Sequence, residues 1–482
     1  MLENYEPANV LKFFEEVSYI PRGSGNEKQV SDYFVSFAKN KNLFVHQDDE
    51  LNVLIKKAGT PGYENAPTVI IQGHMDIVCE KNEGTEHDFV KDPLDLIVEG
   101  DYIRANGTTL GADNGSAIAM GLALLDSDTI QHPPLEVLFT TNEEVGLIGA
   151  SKFDSGLLDG KILLNLDSSK ESVFMATCAG GAETNIFLES EYCDIPQNYE
   201  ARVLKIKGLK GGHSAHKITE YPANSNILLA RALNILESKF SIHLASINGG
   251  DKVNAIPREA EATIIFENCK ASEISEEINS IEEIFKQEYV SNDIGIRLIL
   301  ADHEKGIEKM FTDSIFKKIV FALMTLPNGI HAMSFTFPDK PETSNNVATV
   351  KTTEKEVIIS CGPRSSISSK KEMLIAQIKL VSDMLGARMI IKGSYPAWEY
   401  KTDSVLREKA KKLYVEMFDS EPVIAATHGG LECGIFSEKI EDVDIISFGP
   451  DIYDMHSPDE KMSISSLKRT WEYLQRLLLE IV

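Results

Sequence analysis

Among its six cysteines (Cys79, Cys178, Cys193, Cys269, Cys361 and Cys433) the 482-residue chain has no CxxC pair. A zinc ribbon and a dithiol redox motif therefore have no basis here. It also lacks an apolar run of the roughly 18 to 20 residues that a membrane-spanning helix needs. Basic residues are in deficit: 48 Lys and Arg against 74 Asp and Glu leave a net charge of −26. That balance argues against nucleic acid or an anionic membrane as partner, since both are held through basic patches. The opening Met1–Pro7 has no basic segment followed by an apolar one, so no secretory signal is expected. Reduced thiols in a cytoplasmic protein are the matching expectation. Cys79 and Cys433 are expected to be small buried hydrophobes.

What is present is an ordinary globular composition, 43% hydrophobic and 25% charged. The length leaves room for two or three domains at roughly 150 residues each. The pattern predicts helices over 7–19 and 26–40, strands over 51–56 and 68–71, a buried helix from 117 to 125, and strands over 135–140 and 162–166. This alternation of strands and helices indicates an α/β layer structure. The character changes after about residue 187. Strands near 202–206, 241–247, 253–266 and 294–300 alternate with helices over 222–238 and 271–289. This predicts an α+β unit of split βαβ type, with a partial second copy across 311–392. The opening character returns near 400, with a helix over 403–417, strands at 423–424 and 443–448 and a final helix over 463–480.

Five short clusters each close a strand-like run: Gly73-His74-Met75-Asp76, Gly111-Ala112-Asp113-Asn114-Gly115, Thr141-Asn142-Glu143-Glu144, Asn165-Leu166-Asp167-Ser168 and Met455-His456-Ser457-Pro458. Ligands of open α/β sheets bind at the carboxyl ends of strands. Five such ends offering oxygen and imidazole ligands, without a thiolate, point to one shared site with more than one metal ion. Taken singly each cluster has a plainer reading: Asp113 as a helix cap, Glu143-Glu144 as an exposed acidic loop, His74 and Asp76 as a surface turn, and Asp167 and His456 as loop residues. Two adjacent acids would repel if buried and unpaired, and a cation removes that cost. One can then bind metal while its neighbour acts as general base. Asp76 can supply the acceptor that fixes the tautomer of a histidine ligand.

The segments GHMDIVCE (73–80), GADNG (111–115), TTNEEVGLIGA (140–150), LLNLDS (163–168), KGLKGGHSA (207–215), KVNAIPRE (252–259) and HGGLECG (428–434) together resemble the dinuclear zinc peptidases of the aminoacylase and glutamate-carboxypeptidase type. Within that group the chain is similar to the aminoacyl-histidine dipeptidase branch, in order and over essentially its full length. The resemblance implies an α/β catalytic domain, with a mixed central sheet flanked by helices, formed by 1–187 and 397–482. An α+β lid and dimerisation domain, 188–396, would interrupt it. It implies two divalent ions per subunit, zinc first, with manganese or cobalt as substitutes. Asp113 would bridge them, His74 and Asp167 would complete one site, and Glu144 and His456 the other. Asp76 would orient a ligand, and Glu143 would be the general acid/base. His213, Asn254, Arg364, His428 and Glu432 would contact the substrate, with Arg364 and Asn254 on its carboxylate. Relatives usually carry a glycine and an arginine near Tyr221-Pro222, so the lid departs from the family pattern there.

The implied activity is hydrolysis of unblocked dipeptides of Xaa-His and β-Ala-His type by a cytoplasmic homodimer paired through the middle domain. An amidohydrolase acting on N-acyl amino acids would use the same site. A metal-dependent binding protein without turnover is a third reading, against which Glu143 weighs, since binding alone needs no base.

Overall fold

Four apolar segments, Val69–His74, Leu135–Thr140, Ile162–Asn165 and Asp444–Ser447, pair in parallel to make the centre of an eight-stranded sheet. They are covered on both faces, which explains their continuous rather than alternating apolar character. Antiparallel strands flank them. Val53–Lys57 and then Phe44–Gln47 extend one side, Val173–Cys178 pairs on the other, and Val423–Thr427 completes the sheet. The sheet is therefore mixed.

The computed structural model describes residues 2–303 and 306–481. The chain divides into two units, one of Met1–Cys178, Trp398–Ala426 and Leu431–Val482, the other of Ala179–Ala397 and Thr427–Gly430. In the first unit the helix Ala112–Asp126 packs against Ala8–Ser18 and against the Val69–His74 strand. Its residues from Asn114 to Leu125 are all buried, so it carries no polar face. The helix Ile464–Glu480 lies beside Val405–Phe418, and both feed the same apolar core as the sheet. A second, four-stranded sheet in this unit orders Ile452–Tyr453, Lys461–Ser463, Tyr102–Ala105 and Leu96–Glu99.

The other unit holds one long antiparallel sheet with the helices Ser225–Phe240, Ala271–Glu288, Asp313–Thr325 and Ser368–Met384. One end of that sheet runs in the order Arg297–Asp302, Tyr199–Lys207, Ala260–Glu267, His243–Gly249, which is the split βαβ arrangement expected. The second copy is not partial. Val347–Thr352, Glu356–Cys361, Gly180–Glu189 and Arg388–Tyr395 repeat the same order, so its first strand precedes the whole first copy. The two copies join edge to edge through His243–Gly249 and Val347–Thr352. This nesting carries Gly180–Glu189 into the middle unit and sets its start ahead of residue 187. The stretch 253–266, read as one strand, is two, Ala255–Ile256 and Ala260–Glu267, with Pro257 between them. Among the described residues no helix is long and apolar enough to cross a membrane.

Candidate metal centre

Three of the five clusters follow central parallel strands of the first unit. His74 ends Val69–His74, Glu143 and Glu144 follow Leu135–Thr140, and Asp167 follows Ile162–Asn165. The other two arrive differently. Asp113 lies in the first turn of its helix, entered through Gly111 at φ 67°. His456 is at φ 60° in the connection between Ile452–Tyr453 and Lys461–Ser463, not at the end of a strand of the main sheet.

These residues converge. His74 Nε2 is 3.2 Å from Asp113 Oδ1 and 3.6 Å from Asp167 Oδ1. His456 Nε2 is 3.4 Å from Asp113 Oδ2 and 2.9 Å from Glu144 Oε1. Two triads result, His74–Asp113–Asp167 and Asp113–Glu144–His456, and within each the ligand atoms lie within 4.8 Å of one another. Asp113 belongs to both and turns a different oxygen to each. A third combination, His74 with Glu143 and Glu144, meets the same distance.

The donor set suits divalent ions. It is made of carboxylate oxygens and imidazole nitrogens, with no lysine or arginine paired to any of the six residues among those described. Glu144 Oε1 is buried and accepts no hydrogen bond. Its 2.9 Å approach to His456 Nε2 is too poorly aligned to be one, as when two ligand atoms face a common third body. The electrostatics agree. The carboxylates of Asp113 and Glu144 that face its Nε2 lift His456 to about 11. His74 rises well above 6.5 despite its burial, through Asp113, Asp167 and Asp76. Burial and the Asp113 charge push Asp167 up to about 7, while the two histidines hold Asp113 far below the usual range against its burial. The cluster calls for positive charge, which a divalent metal ion would supply.

Asp76 is completely buried behind this layer. Its Oδ1 accepts the Glu143 N–H at 3.0 Å and lies 3.4 Å from His74 Nδ1. Its Oδ2 accepts the Glu144 N–H at 3.2 Å and the Ser24 hydroxyl at 2.8 Å. His74 Nδ1 also faces the Asp76 carbonyl at 3.1 Å, which leaves Nε2 as its ligand atom. Glu143 is half-buried, and its carboxyl is held well above 4.5 by desolvation and by the charges of Asp167, Glu144 and Glu432.

Glu432 lies under the same strands. Its Oε2 accepts from Gln72 Nε2 at 2.5 Å and from the Thr140 hydroxyl at 2.7 Å, and Asn165 donates to Gln72 Oε1 at 2.6 Å. Burial raises it to about 7. Sequence reasoning missed this polar layer of Gln72, Thr140 and Asn165, because each residue sits inside an apolar strand. It also missed Ser24 and Glu27, whose carboxylate accepts the Asn142 N–H at 3.0 Å. The polar, glycine-containing stretch Gly23–Glu27 was the available signal. Cys433 is buried as expected, but Cys79 is exposed, and all six cysteines are free.

The remaining expected substrate residues belong to the second unit. His213 pairs with Ala255 across a two-residue ladder, and Ser214 donates to the Asn254 carbonyl at 2.8 Å. Arg364 lies opposite Ser344 and donates to the Tyr395 hydroxyl at 2.9 Å. His428 is buried with Nε2 2.7 Å from the Ser344 hydroxyl. Burial, with the charges of Arg364 and His216, lowers it to about 3. The rings of His213 and His216 are 4.9 Å apart. Within this unit, then, Ser344 stands beside both Arg364 and His428, and the His213–Ser214 segment lies along Asn254–Ala255.

Comparison with known proteins gives a consistent result. The cytosol non-specific dipeptidase of Escherichia coli (strain K12) is 36% identical over 485 residues, covering 100% of this chain and 99% of that protein. The crystal structure of aminoacylhistidine dipeptidase from Vibrio alginolyticus superposes with a TM-score of 0.90 at 36% identity, covering 99% of this chain and 98% of that one. A tripeptidase structure from Staphylococcus aureus shares the fold at 15% identity with a TM-score of 0.57, covering 99% of each chain. The family model for peptidase family M20/M25/M40 matches residues 70–480. With its two carboxylate–imidazole triads sharing Asp113 inside the matched region, the chain belongs to peptidase family M20/M25/M40.

Proposed function

We propose that this protein is a metal-dependent dipeptidase that works with two divalent ions, zinc first, and cleaves unblocked dipeptides, including those with a C-terminal histidine. The observation that carries the reading is Asp113, one carboxylate standing in two ligand triads beside the Glu143 carboxyl. The similar proteins of E. coli and V. alginolyticus, both dipeptidases by name, support the substrate class. His74 and Asp167 would hold one ion, Glu144 and His456 the other, and Asp113 both. Two ions so held would supply the Lewis acidity that activates a water and polarises the peptide carbonyl.

The chain's own groups do the rest. Glu143 takes the proton from the attacking water and returns it to the leaving amine, a role that suits a carboxyl held well above its ordinary range by burial. Asp76 holds His74 in the tautomer that presents Nε2, and holds the backbone of both glutamates. Arg364 takes the substrate carboxylate through its planar fork, with Asn254 beside it in that role. His213 stabilises the developing oxyanion, and His428 and Glu432 complete the substrate surroundings. We further propose that the protein is a cytoplasmic homodimer paired through the middle unit.

The test is hydrolysis by the purified, zinc-loaded protein. β-Ala-His and Gly-His should be cut, and acetylated amino acids should be cut far more slowly. Faster cleavage of the acetylated compounds would make the protein an amidohydrolase with the same centre.

A further inference from the structure

The ligands of this centre come from loops far apart in the chain, and a two-ion site tolerates errors of only about 0.5 Å. Two buried charged residues that no ligand role uses grip the loop that carries Asp113. Arg22 is 1% exposed. Its Nη1 donates to the Met75 carbonyl at 2.9 Å and its Nη2 to the Gly111 carbonyl at 2.6 Å, so it ties the His74 segment to the Asp113 loop. The space it occupies is kept open by glycine. A Cβ at Gly111 would meet Nη2 at 2.9 Å, and one at Gly115 at 2.7 Å.

Glu460 is 2% exposed and holds the loop from its other side. Its Oε2 accepts the N–H groups of Leu110 and Gly111, both at 2.9 Å. Its Oε1 accepts those of Ala112 at 2.9 Å and Asp113 at 3.3 Å. Glu460 also sits at the end of the connection that bears His456, immediately before Lys461–Ser463. The residue Gly111 is thus held by its carbonyl from Arg22 and by its N–H from Glu460. The chain of contacts runs from Met75 through Arg22, the loop and Glu460 to the His456 connection.

We propose that Arg22 and Glu460 are positioning residues that set where the two oxygens of Asp113 stand between His74 and His456, with Glu460 governing the ion on the His456 side. The inference rests on the two-ion reading above. Glu460→Gln keeps the size of the side chain but leaves one acceptor oxygen for four N–H groups. Outer partners of metal ligands are worth about 10- to 100-fold in affinity. Titrating metal-free protein with Co²⁺, followed by its visible absorption, should give two ions in the wild type. In E460Q the first ion should bind within about threefold of wild type and the second about 10- to 100-fold more weakly. Excess metal should restore turnover in the variant, which a merely structural lesion would not allow.

Wild-type protein taking up fewer than two ions would overturn the two-ion reading and the clamp with it. Two wild-type ions with an unaltered E460Q, or with both steps weakened equally, would overturn the clamp alone. Should E460Q not fold, Glu460→Asp, which keeps the charge but cannot span all four N–H groups, must show the same selective loss.

Discussion

Replacing Asp76 by Asn removes one charge and one acceptor from a fully buried position, and the cost can be worked from its contacts. Four donors converge on its two oxygens: the N–H groups of Glu143 and Glu144, the Ser24 hydroxyl and His74 Nδ1. The amide that replaces the carboxylate keeps one oxygen. Its least damaging orientation puts the NH2 toward Ser24, whose hydroxyl can turn and accept, so one half-buried N–H, that of Glu144, loses its acceptor. A buried donor left without a partner costs about 1–3 kcal/mol. Weakening the outer partner of a histidine ligand costs about 10- to 100-fold in metal affinity, or roughly 1.4–2.7 kcal/mol. The first cost falls on folding stability and the second on metal binding, so we expect zinc affinity to fall by about one to two orders of magnitude. Competition with a chromophoric chelator reads this directly. Affinity within twofold of wild type would refute the reasoning, and would mean that the Asp76 carbonyl, 3.1 Å from the same nitrogen, fixes the tautomer alone.

Other outcomes follow from the same geometry. Glu143→Gln should lower kcat by about 10²- to 10⁴-fold while leaving metal content unchanged by elemental analysis. Arg364→Met should lower kcat/KM for dipeptides by about 10- to 100-fold, as for a lost charged hydrogen bond, with a much smaller effect on dipeptide amides lacking the carboxylate. His428 remains neutral in the fold down to about pH 3, whereas unfolded histidine gains its proton near 6.5. The unfolded state therefore binds more protons below 6.5, and stability falls as pH drops. By pH 5 the loss is about 2 kcal/mol, which denaturant unfolding should show in the wild type and not in His428→Gln. Stripping the metals should lower the unfolding free energy by about 2.7 kcal/mol per ion, relative to protein at 100 times the dissociation constant, with recovery on adding zinc back.

Much of this site was legible because parallel strands expose their ends. His74, Glu143, Glu144 and Asp167 each follow a run whose continuous apolar character marks a strand buried on both faces. Asp113 was legible as a glycine-flanked loop entering an apolar helix. His456 was not legible by that route, since the strand Asp444–Ser447 ends well before it and its own connection belongs to a small second sheet. The sequence pattern names the Met455–Pro458 cluster as the close of a strand-like run, whereas the structure puts it in a connection. The strand Gly180–Glu189 was hidden for another reason. Its partners, Glu356–Cys361 and Arg388–Tyr395, lie far along the chain, and long-range pairing leaves no local pattern. Arg22 and Glu460 were unreadable because their work is done on backbone atoms, which leaves no pattern in the side chains they touch.

The central claim is that two ions sit on either side of Asp113. Anomalous diffraction from zinc-soaked crystals, recorded above and below the zinc edge, tests it most directly. We expect two peaks roughly 3.5–4 Å apart, one against His74 and Asp167 and the other against Glu144 and His456, with one Asp113 oxygen on each. A single peak, or a pair that leaves Asp113 or His456 without contact, would contradict the account.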